Sequence, residues 1–419
     1  MEGGVPAVRI RGLFRKEQSR MFERHRRQAG TQANQQDTAS TPKQMTKPIL
    51  YIGLDVHADS ISIATAEADR DGEVRSYGKI AGDLRALDSV LSKLGHPGRE
   101  LRICYEAGPS GFVIARHLAK KGIACVVAAP SLIPKGKGDK IKTDRRDALM
   151  LTRLHRSGEL TAVHVPDAVD ESVRDVCRAR TDAVDDKRRA VCRLKAFLLR
   201  HGHRIKDNAP WSEARMRTLR GIVLAQQAMG IVLEESIQAI EGAHQRIARL
   251  EAEMEKLLET WAQAPVVRAL MGLRGVRLVS AMIIVSELGD IHRFAHPRQL
   301  MAYLGLVPGE SSSGGKRHVG GLTKTGNAHA RWLINESAQH YRLPPKVSAD
   351  LSKRQEGIAK EHRQEVRKIA WKCQLRLYDK GRQMAGRLKM RQKVQIALAR
   401  ELVGFVWAVM KAVQPAGAP

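Results

Sequence analysis

The chain has 419 residues, more than one hydrophobic core ordinarily organises, so two or three domains are expected. Its 72 lysines and arginines against 44 aspartates and glutamates give a net charge of +28, which points to a polyanionic partner, nucleic acid before an anionic membrane surface. Five scattered cysteines without a close C-x-x-C pair exclude a disulfide framework and a zinc knuckle, and the lack of a spanning apolar run or secretory signal makes a soluble, cytoplasmic protein the expectation, with no membrane partner.

Residues 1–46 read as a disordered basic leader dominated by Arg, Gln, Thr and Ser, with Met45 beside the first strand as a candidate translation start. The runs Ile49–Val56, Ser60–Ala66 and Glu73–Ile80 are β-rich and separated by turn-like breaks, which predicts an antiparallel meander. A helix over Leu84–Leu94, a strand over Leu101–Glu106, a helix after Gly108-Pro-Ser-Gly, a strand over Ile123–Ala128 and a helix from Asp144 complete an α/β domain at 47–165. Residues 166–264 read as helical. Within them Leu233, Ile237, Ile240, His244, Ile247, Met254, Leu258 and Trp261 form a stripe at steps of mostly three and four, the pattern of a coiled-coil arm or of an amphipathic helix packed on its own domain.

A mainly α-helical domain is expected at 265–345. It opens on Met271-Gly-Leu-Arg-Gly-Val-Arg, a glycine-punctuated turn between helices of the sort that offers backbone N–H groups to phosphate. Residues 346–419 read as a basic helical tail. From Lys346 to Lys411 there are 17 Lys and Arg against 6 Asp and Glu, which leaves a solvated face and a nucleic-acid-facing surface equally open.

Four carboxylates stand where they can converge. Asp55 ends the first strand, Glu106 ends the later one, and Asp144 and Asp147 lie three residues apart on one helix face. Like charges at short range raise a pKa or demand a cation. Mg2+ is the natural guest, since hard divalent ions take oxygen ligands and serve phosphoryl transfer.

The strings Gly53-Leu-Asp-Val-His, Tyr105-Glu-Ala-Gly and Lys142-Thr-Asp-Arg-Arg-Asp-Ala resemble those of the DEDD insertion-sequence transposases, the bridge-RNA-guided recombinases, over about residues 49–342. The resemblance implies a RuvC-like, ribonuclease H fold for the first domain, followed by the coiled-coil region and a transposase domain carrying a catalytic serine. It also implies donor and target DNA and a noncoding bridge RNA as partners, a tetramer built from dimers, and a bacterial cytoplasmic setting, nucleoid-associated during action. A second signature, Tyr303-Leu-Gly-Leu-Val-Pro-Gly-Glu-Ser-Ser-Ser-Gly-Gly-Lys followed by Gly321-Leu-Thr-Lys-Thr-Gly-Asn and Arg331, maps the nucleophile of the resembled family onto Ser313, with Ser311 and Ser312 as neighbouring registers. Read without the family, the serine run is a flexible loop. Lys316, Arg317, Lys324 and Arg331 are the cations placed to neutralise phosphate there.

Two rivals stand beside the recombinase. A RuvC-like structure-specific endonuclease, such as a junction resolvase, would use the carboxylates with water. A nonenzymatic nucleic-acid binder would use them only as helix caps.

Overall fold

Strict alternation builds the first strand: Leu50, Ile52 and Leu54 are buried on one face, while Tyr51, Gly53 and Asp55 take the other. A computed structural model describes residues 47–69, 72–134, 143–205, 210–314, 316–387 and 390–415. In it β1 (Ile49–Val56), β2 (Ser60–Glu67), β3 (Arg75–Ala81), β4 (Glu100–Glu106) and β5 (Ala124–Ala128) form one mixed sheet in the order β3-β2-β1-β4-β5. The pairs β3–β2 and β2–β1 are antiparallel, and β1–β4 and β4–β5 are parallel. The meander and both later strands therefore stand where the hydrophobic pattern put them, to within three residues at their ends.

Helices cover both faces. α1 (Leu84–Leu94) and α2 (Val113–Lys120) bury Leu87, Val90, Leu91, Ile114 and Leu118 against Ile52, Leu54, Ile61, Ile63, Ile103 and Tyr105. On the opposite face α3 (Asp144–Ser157) packs Leu151 against Cys104 and Ala128, and Thr152 Oγ1 donates to Ala64 O at 3.2 Å. Contact there is close because Gly53 has no side chain: a Cβ at that position would lie 2.4 Å from Thr152 Oγ1 and 2.7 Å from Ala148 O. The backbone carbonyl cannot rotate away, so Gly53→Ala must push α3 off the sheet. We expect it to cost about 2 kcal/mol in urea unfolding, as overpacking does, and to displace Asp144 and Asp147, which lie in the first turn of α3.

After the sheet the described residues are mostly helical. α4 (Ala168–Arg200) and α6 (Gln227–Thr260) run antiparallel, as the pairs Arg180–Glu251, Asp186–Arg246 and Lys187–His244 require, with α5 (Glu213–Arg220) at their far end. The apolar stripe is used within the chain: Leu233, Ile237 and Ile240 pack on Val191, Leu194 and Leu198, and Met254 joins Val173 and Cys177. Trp261 is the last residue of the stripe and caps α6, its Nε1 donating to Asp170 Oδ1 at 2.6 Å.

The helices α7 (Ala264–Leu270), α8 (Leu278–Leu288), α9 (Pro297–Tyr303), α10 (Ala328–Ala338), α12 (Lys360–Gly386) and α13 (Arg391–Val413) share one core, and α11 (Ala349–Glu356) packs on α7 and α12 at its edge. Val366, Ala370, Cys373 and Leu377 of α12 and Leu398, Leu402 and Val406 of α13 are fully buried in it. The basic helices after residue 345 are thus continuous with the preceding domain, their charges lying outside an apolar stripe. The turn from Met271 to Arg277 is also internal: the amides of Gly272, Leu273 and Val276 bond to preceding carbonyls, and Arg354 grips the carbonyls of Met271 and Val276.

A second sheet interrupts the helices. The serine run is a β-hairpin, β6 (Pro308–Ser313) with β7 (Lys316–Leu322), where a loop in a mainly helical domain was expected. Among the described residues, no helix is long and apolar enough to cross a membrane, and all five cysteines are free.

Candidate active site

The sheet brings the carboxylates of β1 and β4 side by side. Leu54 is paired with Tyr105, so Asp55 and Glu106 stand one residue further along neighbouring parallel strands. Both share the face of Gly53 and Cys104, which is the face covered by α3. The row continues through Ser62, opposite Asp55, to Lys79, opposite Ser62. α3 begins at this edge, its start fixed by Thr143, whose side chain accepts from Arg146 N, so that Asp144 and Asp147 fall in the first turn, favoured by the helix dipole.

His57 Nε2 lies 3.2 Å from Asp55 Oδ2 and 3.5 Å from Asp144 Oδ1, and Lys79 Nζ lies 3.3 Å from Asp144 Oδ2. Burial pushes the Asp55 carboxyl above its ordinary value; the charge and hydrogen bond of His57 oppose this, while Asp147 and Asp144 add to it. Asp144 is lowered, mainly by its hydrogen bond from Lys79. A half-buried carboxylate repelled by two others fits a divalent cation, and Asp55, His57 and Asp144 each offer a ligand atom within 4.8 Å of the others. Glu106 and Asp147 border this trio through strand register and helix turn. Neither His57 nor Lys79 was picked out from the sequence. His57 had a signal, since it stands two residues after Asp55 on an extended segment; Lys79 is placed only by two inter-strand registers.

The serine hairpin is paired along its length and braced at its base. Gly305 and Gly326 take positive φ of 61° and 69°, and a Cβ on Gly326 would sit 1.8 Å from Tyr303 O, which explains both glycines of the signature. Lys324 is exposed and also has positive φ, 53°. Arg331 donates from Nη1 to Leu304 O at 3.0 Å and to Thr325 O at 2.8 Å, so its guanidinium, marked from the sequence as a phosphate contact, ties the hairpin base. Backbone pairing sets Ser311 opposite His318, Ser312 opposite Arg317 and Ser313 opposite Lys316. The side chains of Ser312, Ser313, Lys316 and Arg317 lie outside the described residues.

Behind the hairpin, the buried Glu287 of α8 accepts from Arg178 Nε at 2.8 Å and Nη2 at 3.0 Å and from Asn327 Nδ2 at 2.7 Å, with His329 Nδ1 at 3.4 Å. Burial alone would raise this carboxyl; the bonds from His329 and Arg178 and the charge of Arg178 outweigh it and hold the pKa at about 2.

An acidic cluster able to hold a cation at the edge of a mixed sheet, on a chain of charge +28, fits the class of nucleic-acid phosphodiester enzymes. Comparison with known proteins narrows the class. Residues 52–202 match a DEDD-type transposase family, and residues 267–349 match the transposase IS116/IS110/IS902 family. The putative transposase y4qE of Sinorhizobium fredii is 41% identical over 365 residues, covering 86% of this chain and 88% of that protein. The transposase for insertion sequence element IS1533 of Leptospira borgpetersenii is 26% identical over 347 residues, 81% of this chain and 98% of its own. The chain belongs to the IS110/IS116/IS902 family of transposases, with a DEDD-type domain over its sheet.

Proposed function

We propose that this transposase cuts and rejoins DNA during transposition of an insertion sequence by combining two sets of groups: the carboxylates Asp55, Glu106, Asp144 and Asp147, which hold Mg2+, and Ser313, the nucleophile. The observation that carries the reading is the acidic edge itself, where Asp55 and Glu106 end adjacent parallel strands beneath the first turn of the helix bearing Asp144 and Asp147. The strand order β3-β2-β1-β4-β5, antiparallel then parallel, supports a RuvC-like, ribonuclease H type of domain.

When bound, the metal ions would withdraw charge from the scissile phosphate and stabilise the departing oxygen. The chain supplies the rest. The Ser313 oxygen bonds to phosphorus as the phosphorus–oxygen bond to the leaving strand breaks, and the released strand end takes a proton as a hydroxyl. Attack by a strand hydroxyl on the seryl phosphodiester reverses these events and rejoins DNA without ATP. Lys324 at the hairpin base is exposed, which suits a phosphate contact, and Lys316 and Arg317 would complete the basic set. Arg331 serves by holding the hairpin closed.

The charge of +28 suits a complex in which a noncoding bridge RNA pairs with donor and target DNA while the protein grips backbones. Assembly as dimers pairing into a tetramer would bring the serine of one subunit to the carboxylates of another. The deciding experiment is a denaturing gel for a covalent protein–DNA species, with purified protein, Mg2+, the element's RNA and its junction DNA. Ser313→Ala is expected to abolish the adduct and keep RNA binding. Loss with Ser312→Ala instead shifts the nucleophile by one residue, and cleavage without any adduct moves the assignment to a structure-specific endonuclease.

A further inference from the structure

We infer that His57 is itself a ligand of the metal site, giving one ion a nitrogen donor between Asp55 and Asp144 and tilting that position toward first-row divalent ions such as Mn2+ over Mg2+. The inference rests on the carboxylate reading above and adds to it a residue outside the four acids.

The spacing is that of ligands sharing one ion. Two donors at right angles, each roughly 2.1 Å from a metal, are about 3.0 Å apart. His57 Nε2 is 3.2 Å from Asp55 Oδ2 and 3.5 Å from Asp144 Oδ1. The orientation of Asp144 agrees: its Oδ1 faces His57 while Oδ2 takes Lys79 at 3.3 Å, so an ion on Oδ1 leaves the lysine contact in place. The backbone holds His57 at this place, because its N–H donates to Ser60 O at 2.9 Å and closes the β1–β2 turn. That turn is braced in its own right by Gly82, whose N–H donates to Asp59 O and whose missing Cβ would lie 2.5 Å from Ala58 O. The imidazole is 53% exposed, so core packing does not fix it, and its side-chain contacts are those with Asp55 and Asp144.

The donor type sets the preference. Mg2+ is held almost wholly by oxygen and keeps its waters, whereas a neutral imidazole nitrogen favours first-row transition ions. Exchange of His57 for a residue without a ring nitrogen should therefore weaken Mn2+ more than Mg2+.

The test uses the full chain without nucleic acid. Mn2+ binding is titrated by electron paramagnetic resonance, Mg2+ is run as competitor, and nitrogen coupling to the bound ion is read by pulsed measurement in wild type, His57→Ala and Asp55→Asn. The expected result is a nitrogen coupling that His57→Ala removes, with Mn2+ bound at least about tenfold more weakly and Mg2+ competition strengthened relative to Mn2+. Mn2+ binding that Asp55→Asn abolishes but His57→Ala leaves unchanged in affinity and coupling would overturn the role of His57 and keep the carboxylates. Mn2+ binding indifferent to Asp55→Asn would remove both.

Discussion

Asp55→Asn is expected to lower strand cleavage by about a thousandfold or more while leaving the protein at least as stable as before. Asparagine keeps the shape of the side chain at the end of β1 and removes only its charge. In the native chain that charge is a burden on the fold: burial raises the carboxyl, and Asp147 and Asp144 raise it further against the partial relief given by His57. Neutralising it relieves repulsion at the first turn of α3, and the contact with His57, whose ring is half exposed, can be kept by the asparagine amide. A loss of activity without a loss of stability is the signature of a residue retained for chemistry against the interest of the fold. Single-turnover cleavage in Mg2+ alongside thermal unfolding measures both. Cleavage within tenfold of wild type would remove Asp55 from the site, and a drop in melting temperature equal to that of Gly53→Ala would make it structural.

The parts of the fold legible in the sequence are those where burial and period coincide. β1 alternates Leu50, Ile52, Leu54 inward, so its terminal carboxylate is fixed on the opposite face as soon as the strand is recognised. Glu106 follows by the same logic after Ile103 and Tyr105, and Asp144 and Asp147 follow from helical spacing after the Thr143 cap. Lys79 was out of reach, because its place depends on the β2–β3 register, which shifts at a bulge between Ile63 and Ala64. The hairpin at Ser311 was hidden for another reason: it buries no apolar alternation, and its pairing is held by the Gly305, Gly326 and Arg331 closure at its base. In α12 the density of Lys and Arg obscured the stripe Val366, Ala370, Cys373, Leu377, whose steps of four and three bury it in the core. Arg331 was marked as a phosphate contact from its place beside the serine loop, and the bonds of its Nη1 to the carbonyls of Leu304 and Thr325 could not be read from the chain.

Glu287 should make the protein acid-labile in a defined window. Its carboxyl is held at about 2 in the folded state, against about 4.5 for an unperturbed glutamate, because the bonds from His329 and Arg178 overcome the burial that would raise it. The unfolded chain therefore binds the proton more readily than the folded one at every pH between these values. The stabilisation is fully present above pH 4.5 and is lost as pH falls toward 2. A shift of this size corresponds to about 3 kcal/mol, an upper bound because the Arg178 guanidinium is half exposed and partly screened. Glu287→Gln keeps the volume but leaves Arg178 without its carboxylate. The variant should lose up to that amount at pH 7, and its urea midpoint should vary less than that of wild type between pH 4.5 and 2. The consequence reaches the serine hairpin, because Asn327, which donates to Glu287, also caps α10 by accepting from Ala330 N at 2.9 Å and directly follows Gly326 at the hairpin base. Loosening that anchor is expected to slow adduct formation even where the helical core stays folded. Urea midpoints of wild type and variant that fall in parallel over the same pH range would show that Glu287 is not the titrating group.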